Sequence, residues 1–345
     1  MIRVLVADDS PVIRRLMKIV LEDQSDISVI AEAADGREAV ALAQKLRPDV
    51  VVMDVFMPVL DGMQATALIM QTSPRPIVIV STAIDSVSSE LALKALGEGA
   101  VAIVPKASLS AGSGLQRLVD TVRAMADVKV ITRSVPRRPQ AGAELPVAQP
   151  RVGARVPRLV AVVVSTGGPQ ALSSLVQQLP VLATPTVIVQ HIASGFTAGF
   201  ARWLDSKSRM PVTVTSDGEQ LLPGHIYIAG EGAHTTVVSA GDQIVCRLED
   251  PAPDSAFCPS GNALMMSVAT NLPGSAVGVV MTGMGDDGAA GLLQMRLAGC
   301  VTLAQDSASS AIDSIAKSAL NLGAVDRVLA LSELGPELVQ LTGTN

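Results

Sequence analysis

The chain has 345 residues, 48% of them hydrophobic and 17% charged, which suits two packed domains and excludes wholesale disorder. Its formal net charge is -6 and only six residues are aromatic (Phe56, Phe196, Phe200, Trp203, Tyr227 and Phe257), so a base-stacking platform for nucleic acid and a general affinity for anionic membrane are disfavoured. No apolar run approaches the roughly 18 residues of a membrane span, Met1-Ile2-Arg3-Val4-Leu5-Val6 runs straight into Asp8 and Asp9 without a signal-peptide pattern, and the widely spaced Cys246, Cys258 and Cys300 suit neither a disulfide framework nor a zinc cluster; a cytoplasmic protein is expected.

Val4-Leu5-Val6 reads as a strand. Ser10-Pro11 then starts a helix, with a capping residue followed by proline at the first helical position. Val50-Val51-Val52-Met53, Ile77-Val78-Ile79-Val80 and Val101-Ala102-Ile103-Val104 are near-continuously apolar, as buried parallel strands are. Five strands alternating with helices predict a doubly wound parallel sheet, whose ligands bind at the carboxyl ends of the strands. Residues 131–158 hold six arginines, one acid and five prolines, with little that could bury a core, and read as an extended linker. Beyond it the α/β pattern resumes. Leu159-Val160-Ala161-Val162-Val163-Val164 is a buried strand, Ser165-Thr166-Gly167-Gly168-Pro169 a tight turn into a helix, and Thr186-Val187-Ile188-Val189 and Ala276–Met281 are further strands. Residues 212–250 read as shorter strands with glycine turns, a β-hairpin insertion.

Each segment places reactive side chains at strand ends. In the first, Asp8 and Asp9 end one strand, Asp54 another and Lys106 the last. Three converging carboxylates repel unless a hard divalent cation lies among them, and Mg²⁺ suits such oxygen donors. A metal-bound carboxylate beside an ammonium group can accept a phosphoryl group, because both offset the developing charge. In the second, Ser165 lies on a strand-to-helix turn near N–H groups able to stabilise an oxyanion. The same turn would equally cradle a phosphate or simply cap the helix. His191 follows the next strand, and Asp286 and Asp287 follow a third. Serine, base and carboxylate thus all fall at one sheet edge, the requirement for nucleophilic acyl transfer.

The first segment resembles the receiver domain of two-component response regulators through Asp8-Asp9-Ser10, Asp49–Asp54 with Met57-Pro58 and Asp61-Gly62, Ser81, Gly99-Ala100 and Lys106. The resemblance implies that Asp54 is the phosphoacceptor for a partner histidine kinase. Mg²⁺ is then held by Asp9 and Asp54 directly and by Asp8 mainly through water, with Ser81 and Lys106 as phospho-switch residues. Departures are Ala107 after the lysine, Ile103 where a switch aromatic is frequent, and Phe56 near the phosphoacceptor.

The last segment resembles chemotaxis protein-glutamate methylesterases through Ser165-Thr166-Gly167-Gly168-Pro169, Gln190-His191 with Gly195-Phe196-Thr197, Leu222–Ala229, Thr282-Gly283-Met284-Gly285 with Asp287-Gly288, and Ala298-Gly299. The resemblance implies Ser165 as nucleophile, His191 as general base and then acid, Asp287 rather than Asp286 as orienting carboxylate, and an oxyanion hole from the Met284 N–H with Thr166. Departures are Val163-Val164 for a common Gly-Ala, Phe257–Asn262 against an Arg-Pro-Ser-Val-Asp pattern, Ala193-Ser194 within a Met-Pro-Pro run, and Ile315-Ala316-Lys317 for Met-Pro.

The expected architecture is two doubly wound α/β domains, a receiver over 1–125 and a serine esterase with a β-hairpin insertion over 159–345, joined by a Pro/Arg-rich linker over 126–158. The expected activity is phosphorylation-regulated demethylation of glutamate methyl esters on chemoreceptors, with deamidation of selected glutamines by the same centre. Partners are methylated chemoreceptor cytoplasmic domains and a chemotaxis-type histidine kinase; nucleic acid and membrane insertion are not expected, and the chain is expected to be a monomer. Mg²⁺ serves the receiver, with no cofactor in the catalytic domain. In the resembling family the unphosphorylated receiver restricts access to the catalytic face. The alternatives are an esterase-inactive regulatory protein that binds receptor or kinase, and a nucleotide-binding α/β protein resting on the glycine-rich turn alone.

Overall fold

The computed structural model describes residues 1–81, 92, 95–106, 109, 112–126, 128, 157–253 and 255–344. Ala107 and most of the expected linker lie outside the described residues. The chain divides into two compact units.

The first unit alternates β1 (Ile2–Ala7), α1 (Pro11–Glu22), β2 (Ile27–Ala33), α2 (Gly36–Leu46), β3 (Val50–Asp54), α3 (Gly62–Thr72), β4 (Ile77–Ser81), β5 (Ala102–Pro105) and α4 (Gly112–Ala126). The strands form one parallel sheet in the order β2-β1-β3-β4-β5. Ser10 caps α1 by accepting from the Ile13 N–H, with Pro11 in the first turn, as the sequence predicts. β3 and β4 are buried along their whole length. β2 is an edge strand with several half-exposed positions, so it lacks the continuous apolar run that betrays the others. Register then sets the site. Ala7 pairs with Met53, and Ser81 with Pro105, so Asp8 and Asp54 emerge side by side and Lys106 follows at the same edge.

The second unit contains β6 (Leu159–Val164), α5 (Gly168–Gln178), β7 (Thr186–Gln190), α6 (Thr197–Asp205), β8 (Val212–Val214), β9 (Ile226–Ile228), β10 (His234–Ala240), β11 (Gln243–Glu249), α7 (Gly261–Asn271), β12 (Ala276–Val280), α8 (Ala289–Leu297), β13 (Val301–Gln305), α9 (Ser314–Asn321), β14 (Arg327–Leu329) and α10 (Leu331–Thr342). Seven parallel strands run in the order β14-β13-β12-β6-β7-β9-β8. The short strands expected over 212–250 divide in two. β8 and β9 extend this sheet, and only β10 and β11 form the antiparallel hairpin, closed by Gly241-Asp242. The hairpin is held against α7 by Val237 N–H donating to Ser267 Oγ at 3.0 Å, and Val237, Ile244 and Cys246 join Leu264, Met265 and Val268 in one core.

From β6 the chain steps to β7 on one side and later to β12 on the other, so the crevice at the carboxyl ends of β6 and β12 is the topological switch point of the sheet. All six residues of β6 are buried, its leucine and four valines each stabilising by about 1.5–3 kcal/mol. The turn that follows β6 is therefore anchored to a fully buried strand.

Candidate active site

Ser165 is the first residue after β6. The Ser165 N–H donates to the Thr282 carbonyl at 3.0 Å, and the Ser165 carbonyl accepts from Gly168 N–H at 2.9 Å, which closes the turn into α5. Gly167 has φ of 76°, a left-handed conformation glycine adopts without strain. A Cβ on Gly283 would lie 2.6 Å from Ser165 Cβ, so the loop after β12 reaches the nucleophile turn only because residue 283 has no side chain. The Thr282 hydroxyl donates to the Thr166 carbonyl at 2.9 Å, tying the same loop to the same turn.

Register brings His191 alongside: Val164 pairs with Gln190, and His191 N–H donates to the Val164 carbonyl at 3.0 Å. His191 Nε2 lies 2.8 Å from Asp287 Oδ2, and its Nδ1 is buried without a hydrogen-bond partner. The ring thus uses Nε2–H for the carboxylate and leaves the Nδ1 lone pair for a proton transfer. Among the described residues the Ser165 hydroxyl is engaged by no other group, and no acceptor takes the N–H of Thr166 or Met284. The two adjacent aspartates, alike in sequence, part in the structure. Asp286 is exposed, whereas Asp287 is buried and faces the imidazole.

Asp287 is the most heavily supported side chain of the site. Its Oδ1 accepts from Ser260 Oγ and from Asn262 N–H, each at 2.9 Å, and its Oδ2 accepts from Gly261 N–H at 2.5 Å. These donors are the first groups of α7, where the helix dipole adds to the attraction for a carboxylate. Burial pushes the Asp287 carboxyl up, but the His191 ring and the Asn262 and Gly261 N–H groups outweigh it and hold it below the usual carboxylate range. Asn262 also clamps the second helix, its Oδ1 accepting from Gly288 N–H at 3.0 Å and Gly291 N–H at 2.8 Å.

The segment 257–262, whose pattern departs from the resembling family, is thus the cradle of the carboxylate. With the shared Pro259-Ser260 as anchor, Gly261 stands where that pattern has valine, and Val163 stands where a glycine is common. A Cβ on Gly261 would lie 2.5 Å from Val163 Cγ1, so bulk at one position requires its absence at the other. The two departures form one exchange of volume. Sequence reasoning also missed Gln190, whose amide donates to the carbonyls of Ser165 at 2.9 Å and His191 at 3.0 Å. Its place before the histidine was the only signal.

In the first unit, Lys106 Nζ lies 2.7 Å from Asp54 Oδ2 and 2.8 Å from Asp8 Oδ2. Burial pushes Asp54 up to about 6 against the pull of Lys106. Burial also works against the Lys106 charge, but its bonds to Asp54 and Asp8 prevail and raise its pKa. Asp8, Asp9 and Asp54 each offer a carboxylate oxygen, all within 4.8 Å of one another, a hard donor set that fits a divalent cation. Ser81 is buried at the end of β4, one residue beyond the partner of Asp54. A Cβ on Gly62 would lie 1.9 Å from the Asp54 carbonyl, which explains glycine after Asp61. Among the described residues, no helix is long and apolar enough to cross a membrane.

Residues 160–338 match the family model of the CheB methylesterase, and residues 4–118 that of the response regulator receiver domain. The chain is 43% identical to the protein-glutamate methylesterase/protein-glutamine glutaminase 3 of Anaeromyxobacter dehalogenans over 98% of both chains. It is 41% identical to the protein of the same name in Myxococcus xanthus, over 98% of this chain and 93% of the relative. The crystal structure of the Thermotoga maritima CheB methylesterase catalytic domain superposes with a TM-score of 0.52 at 29% identity, covering 54% of this chain and 99% of that one. Matched along its length by these relatives and by both domain models, the chain belongs to the CheB methylesterase family in its receiver-bearing form.

Proposed function

We propose that this chain is a phosphorylation-regulated protein-glutamate methylesterase and glutamine deamidase acting on chemoreceptor cytoplasmic domains, with Ser165, His191 and Asp287 as its triad. The observation that carries the assignment is the 2.8 Å pair between His191 Nε2 and a carboxylate held by a helix N-terminus, with Nδ1 buried and without a partner. Ser165 Oγ attacks the side-chain carbonyl of the substrate and its proton passes to His191 Nδ1. Asp287 stabilises the imidazolium through Nε2–H. The Met284 and Thr166 N–H groups, free of acceptors among the described residues, receive the developing oxyanion. His191 returns the proton to the leaving oxygen or nitrogen, releasing methanol or ammonia. Water, deprotonated by the same ring, then opens the glutamyl ester and frees Ser165.

Control is assigned to the receiver over residues 1–125, with 126–158 as linker and 159–345 as the catalytic domain. A chemotaxis-type histidine kinase donates the phosphoryl group to Asp54. Asp9 and Asp54 would hold Mg²⁺ directly and Asp8 mainly through water, and bound there the ion offsets the charge of the incoming phosphoryl group. Lys106 supplies the second positive charge and Ser81 reads the phosphoryl oxygen. The protein is assigned to the cytoplasm, where such a kinase and receptor domains meet, and is proposed to act as a monomer.

A fluorophosphonate probe followed by peptide mapping tests the nucleophile. Label on the peptide bearing Ser165, lost in Ser165→Ala and strongly slowed in His191→Ala, is expected. Label elsewhere, or undiminished in His191→Ala, refutes the assignment.

A further inference from the structure

Phe257 is a half-exposed aromatic that the mechanism above does not use. Its ring centroid lies 5.1 Å from that of His191, with the planes inclined by 30°. Its Cζ lies 3.5 Å from the position a Cβ would take on Gly285, the residue after Met284. The ring therefore spans the imidazole that handles the leaving group and the loop that offers an N–H to the oxyanion. The side chains of its chain neighbours, Ala256 and Cys258, bring no strong hydrogen-bond acceptor to this wall.

An ester and a primary amide present the same acyl carbon to Ser165 and differ only in what departs. The bond from Ser165 Oγ to that carbon forms, the bond to OCH₃ or NH₂ breaks, and His191 supplies the proton that completes methanol or ammonia. The departing atom must come within hydrogen-bond reach of His191 Nδ1, so its substituents lie against the neighbours of that ring. An apolar wall treats the two unequally. A methyl group gains about fourfold by leaving water, whereas an NH₂ group brings N–H donors whose loss of partners costs about fivefold or more.

We infer that Phe257 is a specificity-determining residue that sets this centre's preference for methyl ester over primary amide. The inference rests on the triad assigned above.

The test compares kcat/KM of the full-length protein on a methyl-esterified receptor fragment and on the same fragment with glutamine at that position. Wild type, Phe257→Leu, Phe257→Ala and Phe257→Asn are assayed, with fluorophosphonate labelling of Ser165 as a readout that needs neither leaving group. Phe257→Ala and Phe257→Asn should lower the ester-to-amide ratio by about tenfold or more, and Phe257→Leu should stay within about threefold of wild type. Labelling should persist in all three variants. An equal fall on both substrates with slowed labelling makes Phe257 a mere packing support for His191 and overturns the inference, as does an unchanged ratio in the asparagine variant. Activity surviving in Ser165→Ala would instead remove the triad reading on which it rests.

Discussion

Gly261→Val should disable the enzyme through a contact that involves no reacting atom. The new Cβ would lie 2.5 and 2.6 Å from the two Cγ atoms of Val163, against about 3.5–4.0 Å for an ordinary carbon contact. Gly261 does not have a left-handed φ, so the clash rather than the backbone conformation decides the outcome. Overpacking of this size costs about 1–3 kcal/mol of stability. Relief requires the start of α7 to move off β6, and that start carries the N–H groups of Gly261 and Asn262 that hold Asp287. Weakening one charge-assisted hydrogen bond of about 1.5–3 kcal/mol corresponds to roughly a ten- to 100-fold loss in kcat if the carboxylate loses its aim. Val163→Ala alone should destabilise by about 2 kcal/mol, from two methyl groups and the space they leave. The double variant should recover much of both losses, with a coupling of about 1–3 kcal/mol. Urea unfolding and methanol release on all four proteins close the cycle. Additive losses in the double variant would refute the view that Val163 and Gly261 share one volume beneath the Asp287 cradle.

Three further outcomes follow from the same geometry. His191→Ala should lower esterase activity by about 10³-fold or more, while His225→Ala and His234→Ala stay within about tenfold of wild type; His225 stacks on Tyr227 and His234 Nδ1 accepts from Ser260 N–H at 3.2 Å, so both rings are engaged by other groups. Asp54→Asn should abolish phosphotransfer and also raise the melting temperature of the cation-free protein. Because burial raises the folded pKa to about 6, Asp54 favours folding most below its unfolded value and loses that contribution as pH rises toward 6 and beyond, so the gain should be present at pH 8 and absent at pH 4. A fragment starting at Arg158 should hydrolyse ester faster than the intact unphosphorylated protein, and phosphorylation of Asp54 should close much of the gap; equal rates for fragment and intact protein would exclude restraint by the receiver.

Much of this organisation was legible in the sequence because parallel strands buried on both faces leave continuous apolar runs, and reactive side chains at their carboxyl ends must share an edge. That logic placed Asp8, Asp54 and Lys106 together, and Ser165 with His191. It did not reveal β2, whose half-exposed positions break the run, nor that β8 and β9 join the main sheet rather than the hairpin, since three-residue strands carry no periodicity. Nor did it reveal the cradle. Gly261 and Asn262 reach Asp287 through backbone N–H groups, which leave no mark on residue identity, and Ser260 reads in sequence as an ordinary helix cap although its hydroxyl also holds the carboxylate. Volume exchange between Val163 and Gly261, 98 positions apart in the numbering (261 − 163), becomes visible only when the two are in contact.

The central claim is that Ser165 is the nucleophile of an ester hydrolase. Methanol released from a methylated receptor fragment by the wild-type protein and by Ser165→Ala, each at equal concentration and with folding verified by thermal melting, measures this most directly. Release by wild type and a fall of about 10³-fold or more in Ser165→Ala are predicted. Release from Ser165→Ala at the wild-type rate, or none from a phosphorylated, folded wild-type protein, would contradict it.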